Sequence, residues 1–304
     1  MGNLAFANTS DNKTNIIMDL SRASNNNIEA ILLRMSAKDL LISCALVSKQ
    51  WHRILYAKSF WKDWAEMRNY HPPWRQFFST LDIHSIRQVV VRRPFGRNFV
   101  HDTWDMSKLG TAQCFVADPR WDINSEIVWT DDNSGHKPRI EIPPCFFDGQ
   151  QKTWRTEDGI EEPVNECVAI SYGSFRKRIE IKLADEGLTD EILDNFTPPI
   201  VVSELVANRK DCASTYRIRS NIHKGLQQMI ITDAKLLRAE TEKRFDQWEE
   251  EGWHKIEHVF REYPKGVRYL VVECLGHDSQ FWAGNYGPKI AKFSVTALPV
   301  KSTK

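Results

Sequence analysis

The chain has 304 residues, enough for two domains, and 41% of them are hydrophobic, enough to build cores. Its formal net charge of +1 gives no electrostatic footprint for nucleic acid, and the short basic cluster Arg92, Arg93, Arg97 is mixed with Phe95 and Phe99, as in a structural stretch. No apolar run approaches the ~18 residues that span a bilayer, and MGNLAFANTSDNKTN lacks the basic start and apolar core of a secretory signal, so a cytoplasmic location without membrane insertion is expected.

The first 19 residues are polar and Asn-rich and are expected to be a disordered tail. From Ile28 the pattern turns helical: Ile28, Ile31, Leu32 and Met35 fall on one face. Ser36-Ala-Lys-Asp39 is a capping box that restarts a helix, and Leu40, Leu41, Cys44, Val47, Trp51, Ile54 and Leu55 continue a stripe of period near 3.6. Ser59 is placed to cap a further helix carrying Phe60, Trp61 and Trp64, and a helical stretch through Phe77, Leu81 and Ile86 leads onward.

Beyond Val91 short segments alternate apolar and polar between turn residues. Tyr216–Ile222, Val267–Glu273 and Ala291–Ala297 have strand texture, and several such strands predict a sandwich. Two stretches resist this pattern. Residues 185–194 have the look of a surface helical turn, and 234–251 (AKLLRAETEKRFDQWEEE) are helix formers. The six cysteines are widely and irregularly spaced, with no Cys-x-x-Cys pair, as expected of reduced thiols that are mostly small apolar core residues.

The segment Ile28–Trp64 resembles an F-box, the helical motif of ubiquitin-ligase adaptors. The matching residues are Ser36-Ala-Lys-Asp-Leu-Leu, Cys44-Ala-Leu-Val-Ser-Lys-Gln-Trp51 and Phe60-Trp61. Ala23-Ser24 stands where the family opens with Leu-Pro, and Ser36 where it has a middle Pro. Residues 92–298 resemble the F-box-associated domain of the glycoprotein-recognising F-box only proteins. The matches are Arg92–Asn98, Arg176-Lys177, Asp185-Glu-Gly187, Ile200–Ser203, Arg209-Lys-Asp211, Gly266-Val-Arg268 and Asp278–Gly287.

The resemblance implies a mixed architecture: an all-α F-box over 20–66, a helical linker over 67–91, and an all-β sandwich over 92–298. The sandwich is of the jelly-roll, galactose-binding-like kind, with 234–251 contributing strand. It also implies a non-catalytic substrate receptor of an SCF (Skp–cullin–F-box) ubiquitin ligase, with no cofactor and no metal. Ile28, Leu32, Leu40, Leu41, Leu46, Val47 and Trp51 would meet the Skp-family adaptor, itself held by the cullin scaffold. Tyr172, Asp211, Phe281 and Trp282 would hold the inner chitobiose of N-glycosylated, misfolded proteins bound for degradation. A sugar ring has an apolar C–H face that an aromatic ring covers and a rim of hydroxyls that carboxylates bind. Leu205 and Val206 replace an aromatic pair of the family, Ala283 a Lys and Asn285 an aromatic, which leaves open a glycan-independent protein surface as the target.

One motif points elsewhere. His254-Lys-Ile-Glu257-His258 has the H-x-x-E-H form of inverted zinc peptidases. That chemistry needs both His on one helical face; in a strand they lie ~13 Å apart at ~3.3 Å per residue and cannot share an ion.

Overall fold

The computed structural model describes residues 23–100, 128–131, 136–173, 175–225, 237–249 and 252–300. The expected tail over 1–19 lies outside them. The chain divides after Arg68 into two compact units.

The first unit is helical: α1 (Asn25–Leu32), α2 (Ala37–Ile42), a 3-10 turn (Cys44–Leu46), α3 (Lys49–Leu55) and α4 (Lys58–Glu66). Serines start three of these helices. The hydroxyls of Ser24, Ser36 and Ser48 accept from the backbone N–H of Asn27, Asp39 and Trp51, each satisfying a donor that the first helical turn leaves free. Ser36 also donates its hydroxyl to the Asp39 carboxylate at 2.6 Å, so the two residues of the expected box pair through their side chains. Ser59 caps nothing: α4 starts at Lys58, behind Ala57. The core gathers Ile28, Leu32, Leu40, Trp51, Leu55, Phe60, Trp61 and Trp64. The indole N–H of Trp61 donates to Leu55 O at 2.8 Å, and Arg68 lies over the Trp64 ring while donating to Met35 O.

The second unit opens with α5 (Trp74–Phe77) and α6 (Ile83–Arg92). This stretch, expected as a linker, is built into the β domain. Ser85 and Thr189 share a buried hydrogen bond of 2.8 Å, and Phe77 packs edge-on against Phe196 at 5.0 Å. Gly187 (φ +98) lies against α6 so closely that a Cβ there would meet Arg92 Cβ at 2.6 Å. The turn expected at 185–194 becomes α7 (Asp190–Phe196).

The strands are β1 (Val128–Asp131), β2 (Arg139–Glu141), β3 (Thr153–Arg155), β4 (Glu161–Pro163), β5 (Cys167–Ala169), β6 (Phe175–Lys182), β7 (Ile200–Ala207), β8 (Ser214–His223), β9 (Arg238–Phe245), β10 (His254–Phe260), β11 (Tyr269–Asp278) and β12 (Lys289–Ala297). They form two antiparallel five-stranded sheets, β1-β6-β11-β8-β9 and β10-β7-β12-β5-β2, and a β3-β4 hairpin. Alternating burial along β6 and β8 puts Phe175, Lys177, Ile179 and Tyr216, Ile218, Ser220 inward, as a half-buried strand requires.

Between the sheets lies a buried polar knot. Glu204 on β7 accepts from Lys177 on β6 at 3.2 Å, from the Tyr216 hydroxyl on β8, and from the Cys274 thiol on β11 at 3.5 Å. All four side chains are sealed from solvent. The Lys177 ammonium also sits 4.0 Å from the centre of the Phe293 ring on β12. Burial, with Cys274 and Glu204 alongside, raises the Tyr216 hydroxyl well above its ordinary pKa, so it stays a donor. Arg92–Asn98 has a structural use as well. The Asn98 side chain accepts from Val295 N–H and donates to Phe293 O, beside the break in β7–β12 register between Ala291 and Ser294.

Residues 238–245 are strand, against their helix propensity. Their outward charges pair across to β8, Arg217 with Glu242 and Arg219 with Glu240. The H-x-x-E-H motif is strand β10, so a shared metal is ruled out by its geometry. His258 points inward and bonds Ser220 (2.9 Å) and Thr241 (3.0 Å), while Glu257 faces outward to Lys255. Among the described residues no group of three His, Cys, Asp or Glu is arranged to hold a metal ion.

Glu204→Ala strands a buried ammonium and should cost about 3–5 kcal/mol in urea unfolding, while Glu204→Met with Lys177→Met should recover most of it. Equal loss in both variants would contradict the pairing. Asp194 is held by Arg268 through two hydrogen bonds of 2.9 and 2.8 Å and by Gly266 N–H, which bring its pKa down to about 2. A depressed folded pKa adds stability above the unfolded carboxylate value and loses it as pH falls. Wild type should therefore lose stability more steeply than Asp194→Asn from about pH 4 down through about pH 2. Parallel curves would show that this pair does not set acid stability.

Candidate functional site

In the helical unit the seven expected adaptor-contact residues divide by burial. Ile28, Leu32, Leu40 and Trp51 are core, and the first three are 1% exposed or less. A side chain that fills its own module's core has no area left for a partner. Leu41, Leu46 and Val47 are exposed, and Ile42 joins them as a fourth apolar side chain at the α2–α3 turn. Exposed apolar side chains grouped in this way mark an interaction surface. Ile42 lies beside Leu41 in sequence but off the helical stripe that singled out its neighbours.

The replaced prolines prove to be caps: Ser24 starts α1 and Ser36 starts α2. Proline and a capping serine serve the same end by different means, one by presetting φ and the other by satisfying a free N–H. Gln50 adds a tie to this entry, donating to Ala23 O at 3.2 Å and Asn25 Oδ1 at 2.8 Å.

In the β unit a second candidate surface lies where the connections after β5, β7, β9 and β11 meet at one end of the sandwich. Asp278, at the close of β11, is 1% exposed. Its Oδ1 accepts from the N–H groups of Gln280 (3.0 Å) and Phe281 (2.8 Å). Burial raises its pKa, opposed by those donors. The turn so formed holds Phe281 in the left-handed region (φ 58) and pushes its ring out, 76% exposed. Trp282 follows, 37% exposed, edge-on to Tyr286 with centroids 5.7 Å apart. Tyr172, from the β5–β6 connection, lies 6.0 Å from Phe281. Tyr172, Phe281 and Trp282 thus come together as a half-open aromatic set, with Tyr286 as a fourth ring.

Asp211 is close by but engaged. Arg209 Nε and Nη2 donate to its two carboxylate oxygens, each at 2.9 Å, and only 7% of the residue is exposed. That ion pair, first among the causes, also raises the Arg209 pKa. The Arg209 guanidinium lies 4.9 Å from the centre of the Tyr286 ring. In the structure Asp211 shapes the loop and positions Arg209, with little of its carboxylate left open to sugar hydroxyls.

The substituted positions separate in the same way. Leu205 and Val206 are buried in β7 and belong to the core, so the loss of an aromatic pair there changes packing behind the loops. Ala283 is exposed in the loop itself. Asn285 is a latch: its Nδ2 donates to Lys137 O at 2.9 Å and Ala169 O at 3.2 Å. Gly287 is required by space, since a Cβ there would meet Ile170 O at 2.8 Å.

The profile of the F-box domain matches residues 24–63, and that of the F-box associated region matches 90–297. The chain belongs to the F-box proteins that carry an F-box associated region. Bovine F-box only protein 6 is 27% identical over 292 residues, covering 92% of this chain and 93% of that one. Human F-box only protein 44 is 23% identical over 319 residues, with 97% and 99% covered. Among solved structures, TmCBM61 in complex with β-1,4-galactotriose covers 66% of this chain and 99% of its own, at 10% identity and a TM-score of 0.31, too low to carry an argument. The F-box and its associated region make this protein a substrate-recognition subunit of the SCF type, an adaptor whose partners are a Skp-family protein and the cullin scaffold.

The split between core and exposed residues in the F-box can be tested directly. Leu46→Asp with Val47→Asp should abolish capture of the Skp-family adaptor in co-purification while leaving thermal unfolding nearly unchanged. Leu40→Ala, by contrast, should cost about 2–5 kcal/mol of stability. Full retention of the adaptor by the double variant would show that the exposed group is not the contact.

Proposed function

We propose that this F-box protein presents N-glycosylated proteins to the ligase and that it holds the carbohydrate at the Tyr172, Phe281, Trp282 and Tyr286 end of the sandwich. The supporting observation is the Asp278 turn, which keeps two adjacent aromatic side chains partly exposed on a backbone set by its hydrogen bonds. Exposed rings at fixed spacing suit the C–H faces of pyranose rings, and a set held before binding gives up little entropy on contact. In this reading the substrates are misfolded glycoproteins met in the cytoplasm and bound for proteasomal degradation. Catalysis belongs to other subunits, and the chain raises the local concentration of substrate near them.

Two features favour a reading in which the same end grips a protein surface without a glycan. Asp211 is already paired, and Ala283 offers no polar group. Titration of chitobiose into the full chain separates the two. Glycan reading predicts measurable binding that Trp282→Ala weakens at least about tenfold, the loss of one stacked ring. No chitobiose binding by wild type, or binding indifferent to Trp282→Ala, rejects it.

A further inference from the structure

A second aromatic pair stands beside the proposed carbohydrate site. Trp248, in the β9–β10 connection, is 54% exposed; Phe147, in the turn after β2, is 49% exposed. Their rings meet edge-on, with centroids 5.4 Å apart. Exposed Trp and Phe in contact on loops need a reason, because single scattered apolar side chains are ordinary and paired large ones are not.

Hydrogen bonds and close contacts tie this pair to the first set. Trp248 N–H donates to Lys210 O at 2.7 Å, and Gln247 Nε2 donates to Asp211 O at 2.9 Å. The segment bearing Trp248 is therefore bonded to the same 208–213 loop that carries Arg209. Arg209 in turn lies over Tyr286, which abuts Trp282. Cys145, two residues before Phe147, has its sulfur 3.7 Å from Arg209 Nη1. The two aromatic sets thus flank one rigid ion pair. Finally, Trp248 itself is held at φ 68, a left-handed conformation that a bulky residue adopts only when its surroundings impose it.

We propose that Trp248 and Phe147 form an outer sugar subsite, which takes pyranose rings of an N-glycan beyond those held at Trp282. The inference rests on the carbohydrate reading above and extends it. The surroundings favour sugar over peptide. Asp246 and Glu249 are exposed around the pair and supply acceptors for hydroxyl rims, while Asp148 is held by Lys152 and Gln150 N–H. Two rings set among carboxylates are also far too small a patch for a stable protein interface, which buries about 1,200 Å² or more. A branched glycan, by contrast, needs only one ring face per sugar, and a second contact on a connection braced to the same 208–213 loop adds to the first at high effective concentration.

The test uses the full chain, with chitobiose and a high-mannose N-glycan as separate probes. Trp248→Ala should weaken the high-mannose glycan about five- to tenfold and leave chitobiose unchanged, while Trp248→Tyr, which keeps a ring, should retain most of the affinity. Equal weakening of both probes would mark a folding effect and overturn the subsite, as would no change in either. Weakened binding of a denatured, deglycosylated protein by Trp248→Ala would also overturn it, assigning the pair to peptide. If wild type binds neither probe, the carbohydrate reading itself fails and the subsite with it; if wild type binds both and Trp248→Ala matches it, only the subsite fails.

Discussion

Glu204 joins the two sheets of the β unit. A carboxylate sealed inside a sandwich is costly unless its charge and its lone pairs are both satisfied, and here Lys177, Tyr216 and Cys274 do so from three strands of the facing sheet. Such a knot tolerates few registers. A one-residue slip of β7 would turn Glu204 to the other face, away from Lys177. The same pairing therefore fixes where β7 ends at Ala207 and where β8 begins at Ser214, and so where the loop between them lies. A second buried pair repeats the device. Burial works to raise the Glu141 pKa, but the Lys289 ammonium at 2.7 Å, Cys145 N–H and Arg139 hold it below the ordinary carboxylate value.

The candidate site inherits this rigidity. None of its loops is long, and each is pinned by hydrogen bonds that do not involve a ligand. Asp278 sets the Phe281–Trp282 turn, Arg209–Asp211 braces the loop after β7, and Asn285 fastens its own loop to Lys137 and Ala169. Much of what the family motifs share is this bracing. Arg268 holds Asp190 and Asp194, Gly187 admits α6, and Asn98 clasps the irregular stretch of β12. The side chains left over for recognition are few and mostly aromatic.

Legibility in the sequence followed from how local each cause is. The helices of the first unit could be read because their period and the Ser36–Asp39 cap are properties of neighbouring residues. The adaptor face could not be separated from the core by periodicity alone, since Leu40 and Leu41 are adjacent and only one is buried. Residues 238–245 looked helical because their pairing partners, Arg217 and Arg219, lie some twenty residues away. Trp282, Phe281 and Tyr172 are legible in the sequence only through the family resemblance. Asp211 was expected to face ligand, and its neighbour Arg209, two residues away, claims it. Trp248 left one faint sign, a lone aromatic in the polar run Asp246–Gly252, while Phe147 left none apart from its exposure in the fold.

In the proposed function a preformed aromatic end of the sandwich receives carbohydrate without rearrangement of its bracing. Heteronuclear NMR of the full chain, with chitobiose added stepwise, tests it most directly. A preformed site gives shift changes at the side chains of Tyr172, Phe281, Trp282 and Tyr286, with the Arg209 guanidinium and the Glu204 knot unmoved. Absence of shifts at those rings, or changes spread through the interior, would contradict it.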